Sequence, residues 1–331
     1  MKLLSVWLLS LSCFIMVAAN AQQTDVEKRI AKSLKNIEKR AEKGDVKLQC
    51  WLADYYYDKG TKQGYEKAVY WWTKATEQGN AEAQYCLGRS FAYAQGVPKD
   101  DATAARWWKL AAEQGHAQAQ CELADCFYMG KGVTEDISMA VHWWQKAAEQ
   151  GNLVALFSLG NSYEKGEGLE KNVNQAVLYY ERAANASVRT DDPLAQSLDG
   201  LYKYLANLRL ASICGLGKDG FKKDVPKACL ILEGMAGKYA NAQVLLGEIY
   251  YQDGADGTPG SYEKAVQYFA MARGDDSEEI SGAAAFFLSK CYRFGRGVPQ
   301  DVARADALQQ EALEKGWDDA KTVDDLLKSL H

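Results

Sequence analysis

Residues 81–116 read AEAQYCLGRSFAYAQGVPKDDATAARWWKLAAEQGH, and residues 117–152 follow as AQAQCELADCFYMGKGVTEDISMAVHWWQKAAEQGN. Two successive segments of 36 residues that agree nearly position for position mark a stacked repeat array, and such a period outranks any shorter motif. Within the first copy Ala83, Leu87 and Phe91 fall four apart. Ala104, Trp107, Trp108, Ala111 and Ala112 then give the i, i+3, i+4, i+7, i+8 stripe of a second helix. Gly96-Val97-Pro98 breaks the first helix, Asp100 is placed to cap the second, and Gly115 ends it where a left-handed backbone costs glycine little.

One such hairpin cannot stand alone. Ordering its residues costs on the order of 50 kcal/mol at about 1.5 per residue, and most of its apolar stripe is exposed until neighbours stack on it. The paired aromatics at 71 and 72, 107 and 108, 143 and 144, and 179 and 180 therefore read as core, with small alanines opposite large rings.

The same pattern organises most of the chain. Residues 1–21 carry Lys2, an apolar run from Leu3 to Ala19 and small residues at Ala19 and Ala21, the layout of a cleaved secretory signal peptide. An uncleaved anchor is disfavoured by the short apolar run, and a lipid anchor at Cys13 by the apolar residues that continue past it. The mature chain is read as exported, periplasmic or extracellular, with no membrane span after cleavage. Residues 22–44 form an N-terminal capping helix that opens on a capping box at Thr24-Asp25-Val26-Glu27. Residues 45–186 hold repeats one to four. Residues 187–204 are an insertion in which Asp192-Pro193 starts an extended first helix. Residues 205–316 hold repeats five to seven, and 317–331 form a more polar C-terminal capping helix.

The formal net charge is −5, and −6 once the segment carrying Lys2 is removed. That balance offers no basic footprint, so nucleic acid and anionic membrane are not expected partners. Seven cysteines remain after residue 21, at irregular spacing: an odd set that reads as small buried hydrophobes rather than as a disulfide framework.

Leu123, Ala124, Phe127, Gly130, Gly132, Val133, Asp136, Ala140, Trp143, Trp144, Ala147, Ala148 and Gly151 spell a pattern that resembles the Sel-one-like repeat (SLR) proteins, relatives of the tetratricopeptide repeats. The likeness spans most of residues 45–316. It implies an all-α fold, a right-handed superhelical α-solenoid of antiparallel helix pairs that binds proteins or peptides as an adaptor. Departures are Ala94, where the pattern has glycine, and the insertions at 187–204 and 253–260. Some cysteine-rich relatives are associated with β-lactam binding or hydrolysis. They carry paired cysteines at fixed repeat positions, which this chain lacks, so an envelope hydrolase or β-lactam-binding protein is the competing reading.

Other chemistry is thinly represented. Gly215-Leu216-Gly217-Lys218-Asp219-Gly220 matches G-x-G-x-x-G as a string, but a helix rather than a strand is expected before it, so no dinucleotide site is assigned. The carboxylates at Asp253, Asp256, Asp275, Asp276, Glu278 and Glu279 lack calcium-loop spacing. His116, His142 and His331 are scattered, and no catalytic, cofactor or metal residues are assigned. Binding is instead expected on the concave face lined by first helices. The positions two and six after each marker leucine share one helical face: Arg89 and Tyr93, Asp125 and Met129, Asn161 and Lys165. Their mixture of charge, aromatic and thioether suits a peptide-sized or protein partner, with glycan recognition by exposed aromatics as a third reading.

Overall fold

A computed structural model describes residues 32–187, 193–258 and 260–328. A first helix, α1, covers residues 32–41. Seven helix pairs follow: α2 Val46–Tyr57 with α3 Lys62–Thr76, α4 Ala81–Ala92 with α5 Asp101–Glu113, α6 Ala117–Met129 with α7 Ile137–Glu149, α8 Leu153–Lys165 with α9 Val173–Asn185, α10 Pro193–Leu216 with α11 Val225–Ala236, α12 Ala240–Ala255 with α13 Ser261–Ala272, and α14 Glu278–Phe294 with α15 Val302–Glu314. A short α16, Val323–Lys328, closes the described chain, and no strand occurs among the described residues. The fold is an all-α solenoid of consecutively packed helix pairs. It forms two compact units that divide within α7, between Lys146 and Ala147. The signal segment, the capping box at Thr24 and the Asp192 cap lie outside the described residues. Past that point α10 runs 24 residues, about twice the length of α4.

Each turn inside a pair is built by two positions with different duties. The first adopts a left-handed backbone, with φ of 63° at Gly130, 78° at Gly166 and 64° at Gly295, and Ala94 takes the same conformation at 56°. It lets the next amide reach back to the helix: Gln95 N–H donates to the Ser90 carbonyl and Lys131 N–H to the Cys126 carbonyl, both at 2.9 Å. The second position is a close approach. A Cβ on Gly132 would lie 2.1 Å from the Asp101 carbonyl oxygen, and one on Gly96 2.5 Å from that of Tyr65. This glycine seats the turn on the start of the preceding repeat's second helix.

The core follows the aromatic pairs, though the tightest contact is not with alanine. A Cβ on Gly88 would lie 2.4 Å from the Trp108 ring, and one on Gly160 2.5 Å from the Tyr180 ring. The glycine after the marker leucine is thus the notch into which the second helix's ring fits, and Trp72, Trp108, Trp144 and Tyr180 are all buried.

At four junctions the repeats are joined by a side-chain clip near the start of the first helix. Gln49 Nε2 donates to the Ala41 carbonyl at 2.9 Å and Gln120 Nε2 to the Ala112 carbonyl at 3.1 Å. In the second unit Gln243 Nε2 reaches the Ala236 carbonyl at 2.6 Å, and Ser281 Oγ the Arg273 carbonyl at 2.7 Å. Each clip satisfies an orphan carbonyl at the preceding helix's C-terminus. Helix starts are capped by Asn80, Asp100 and Asn152, and at α6 by His116, whose Nδ1 accepts from Ala119 N–H at 3.2 Å.

Within the segment read in sequence as the C-terminal capping helix, α16 packs on the first helices α12 and α14. Val323, Leu326 and Leu327 are buried there, as is Trp317 just before it.

Candidate partner-binding face

The six residues singled out in sequence fall into two sets. Tyr93, Met129 and Lys165 point into solvent, and Tyr93 and Met129 are 58% and 61% exposed despite their apolar bulk. Arg89, Asp125 and Asn161 are half-buried and already engaged. Trp144 Nε1 donates to Asp125 Oδ1 at 2.9 Å. Tyr180 OH lies 2.7 Å from Asn161 Oδ1 and 2.6 Å from Glu164 Oε2. The position two after the leucine therefore receives the polar tip of the buried ring from the same repeat's second helix, so Asp125 and Asn161 hold the pair together.

Repeat two breaks this rule for a chemical reason. Arginine has no acceptor, so the Trp108 ring N–H turns to the Tyr85 carbonyl at 3.3 Å. Arg89 is left to lie between aromatic rings: Nη2 is 3.4 Å from Tyr57 OH, and the guanidinium carbon is 5.9 Å from the centroids of both Tyr57 and Tyr85.

Of the carboxylates around it, sequence reasoning named Asp125 and missed Glu82 and Glu122. Glu122, one residue before the marker leucine of repeat three, is pushed up to about 7, first by burial and then by Asp125, with Arg89 and Lys131 opposing. Burial pushes Asp125 up to about 6 against the Trp144 hydrogen bond. Glu82 is lowered, chiefly by its contact with His116 Nε2 at 3.0 Å, and the Tyr85 ring stacks on that imidazole at 4.8 Å. The first unit's first-helix face thus sets one half-buried arginine among tyrosines and carboxylates, with Tyr93 and Met129 projecting from it. A separate concavity of about 580 Å³ between α1 and α3 is lined by Lys35, Lys39, Glu42, Tyr70 and Trp71.

Among the described residues the cysteines are free thiols, and Cys121, Cys126, Cys214, Cys229 and Cys291 are buried. Burial holds Cys126 and Cys291 up at about 12 and Cys50 at about 11, so each stays protonated and weakly nucleophilic at neutral pH. The G-x-G-x-x-G string follows the long helix α10 and runs into a single 3₁₀ turn at Lys218–Gly220, far from dinucleotide-site geometry. Among the described residues no helix is long and apolar enough to cross a membrane.

The Sel1 repeat pattern matches residues 46–80, 81–116, 117–152, 153–188, 240–273 and 282–314, more than half of the chain. The chain belongs to the Sel1 repeat family. The pair α10 and α11, read in sequence as the fifth repeat, lies between matched segments. Among solved structures, the chain is similar to a Sel1 repeat protein from Oxalobacter formigenes. The two share 27% identity over 79% of this chain and 98% of that one, with a TM-score of 0.52. It is also similar to a protective antigen present in uropathogenic Escherichia coli strains and displaying an SLR fold, at 25% identity over 86% and 79% of the two chains and a TM-score of 0.38. The Sel1 repeat is a scaffold of the protein–protein interaction kind.

Proposed function

We propose that this protein is a non-enzymatic, exported interaction scaffold that takes a peptide or protein segment on the first-helix face of its first unit. The observation that carries the reading is the division of labour on α4 and α6. The repeated residues are consumed in stacking and turning, whereas Tyr93 and Met129, which differ between copies, hold large apolar side chains out in water, Tyr93 one helical turn after the half-buried Arg89. Exposed aromatic and thioether groups next to a half-buried arginine are the residue types enriched at protein-binding hot spots. Export rests on the signal-like layout of residues 1–21, and mass determination of the mature N-terminus in an envelope fraction tests it.

Binding is tested by capture from envelope extract with the parent chain and with Tyr93→Ala and Met129→Ser, both at exposed positions that leave the core untouched. A partner retained by the parent and lost by the variants, at unchanged helical circular dichroism, is the expected result. Equal capture by all three removes this face from the reading.

A further inference from the structure

The second unit presents a different first-helix face, one the chain itself covers. In α4 the positions before the marker leucine, Tyr85 and Cys86, are half-buried. Their equivalents in α12, Val244 and Leu245, are fully buried, and Leu208 of α10 and Phe286 of α14 are nearly so. What lies on this side of α12 and α14 is α16, six residues that bury Val323, Leu326 and Leu327 at i, i+3 and i+4. The guanidinium of Arg209, on α10 and only 5% exposed, brings Nη2 to 3.5 Å from the Leu327 carbonyl, with Glu164 Oε1 3.9 Å from Nη1. A cation at the last turn of a docked helix is favourable to its dipole.

The strap is lightly tethered. Between buried Trp317 and buried Val323 the connector is mostly exposed, and the ion pair that ties it to the body among the described residues, Lys290 with Asp319, is 4.0 Å long. Three apolar side chains set against the ordering of that connector and helix leave little net holding free energy.

We propose that the first-helix face of α10, α12 and α14 is a receptor groove for a short amphipathic helix with apolar residues at i, i+3 and i+4 and its C-terminal turn against Arg209. In this scheme α16 is the chain's own occupant, which a partner helix of the same spacing displaces. This groove is separate from the face of the first unit, so a failed capture through Tyr93 and Met129 leaves it untouched.

The test uses a fluorescent peptide of residues 317–331 as probe, the full chain, and a variant carrying Leu326→Asp and Leu327→Asp. A tethered occupant competes at an effective concentration in the millimolar range. The variant, with parental circular dichroism, is expected to bind the probe at least tenfold more tightly than the intact chain, and adding Arg209→Gln is expected to reverse much of that gain. A probe with both leucines replaced is expected not to bind. A folded variant that binds no better than the intact chain overturns the proposal. So does a variant that pairs into dimers and captures no probe, since the face then belongs to a second copy. If the double variant loses helicity, hydrogen exchange at amides 323–328 of the intact chain decides: acceleration by excess probe is expected, and unchanged exchange overturns the groove.

Discussion

Ala94 holds a left-handed backbone at φ 56°, the conformation that Gly130 adopts at 63° in the equivalent turn of the next repeat. An L side chain there costs roughly 1–2 kcal/mol, partly offset by the greater freedom glycine has in the unfolded chain. Ala94→Gly is therefore expected to stabilise the first unit by roughly 0.5–1 kcal/mol. Chemical denaturation checks it; an unchanged or lower midpoint contradicts the strain argument. Gly132→Ala goes the other way, because its Cβ meets the Asp101 carbonyl oxygen at 2.1 Å.

Gly160→Ala drives a methyl group into the Tyr180 ring, 2.5 Å away, and pulls the phenol from Asn161 and Glu164. Overpacking of this kind costs about 1–3 kcal/mol, and strained hydrogen bonds add to it. The melting temperature of the second unit is the readout, and a variant as stable as the parent would show that the ring can move aside.

The cap at α6 is an imidazole where α4 and α8 have asparagine. His116→Ala removes the acceptor for Ala119 N–H and is expected to cost about 1 kcal/mol. His116→Asn restores the cap chemistry of Asn80 and Asn152 and is expected to recover most of that loss. Equal stability of the two variants in urea would mean that the cap contributes nothing.

Burial pushes Glu248 and Glu122 up to about 7 and Asp125 up to about 6. An acid whose folded pKa exceeds its unfolded value holds its proton more firmly when folded. Its stabilising contribution is full below the unfolded pKa near 4 and declines as pH rises through the folded value. The protein is thus expected to melt higher at pH 5.5 than at pH 8, and Glu248→Gln to narrow the gap by raising the pH 8 value. Melts at the two pH values that coincide for the parent would refute it. At more acidic pH the lowered Glu82 acts in the opposite sense, losing its contribution as pH falls through its folded pKa.

The helix pairs were legible because the period repeats the same glycine, alanine and aromatic spacing, which only one local structure satisfies. The second acceptor role of Asp125 and Asn161 was not. It joins residues 19 apart and depends on whether the facing ring is tryptophan, tyrosine or phenylalanine. All six residues of the proposed face were read as lying off the core, and only Tyr93, Met129 and Lys165 are exposed. The docking of α16 shows in its own sequence only as the short i, i+3, i+4 spacing of Val323, Leu326 and Leu327, and it left a further sign in its hosts. The run Val244-Leu245-Leu246 and the run Gly282 to Leu288 are apolar around the whole helix, a sign of burial on every side.

The glutamine clip has a consequence for how such a chain changes length. Gln49 on Ala41 and Gln120 on Ala112 are the same bond made at two different junctions, each using only side chains and carbonyls that a repeat brings with it. A duplicated or excised block of one period that carries this glutamine meets its new neighbour with the clip already in place. The number of copies can therefore drift during evolution without any interface being reinvented, and the reach of the molecule becomes a heritable quantity that point substitution alone could not adjust.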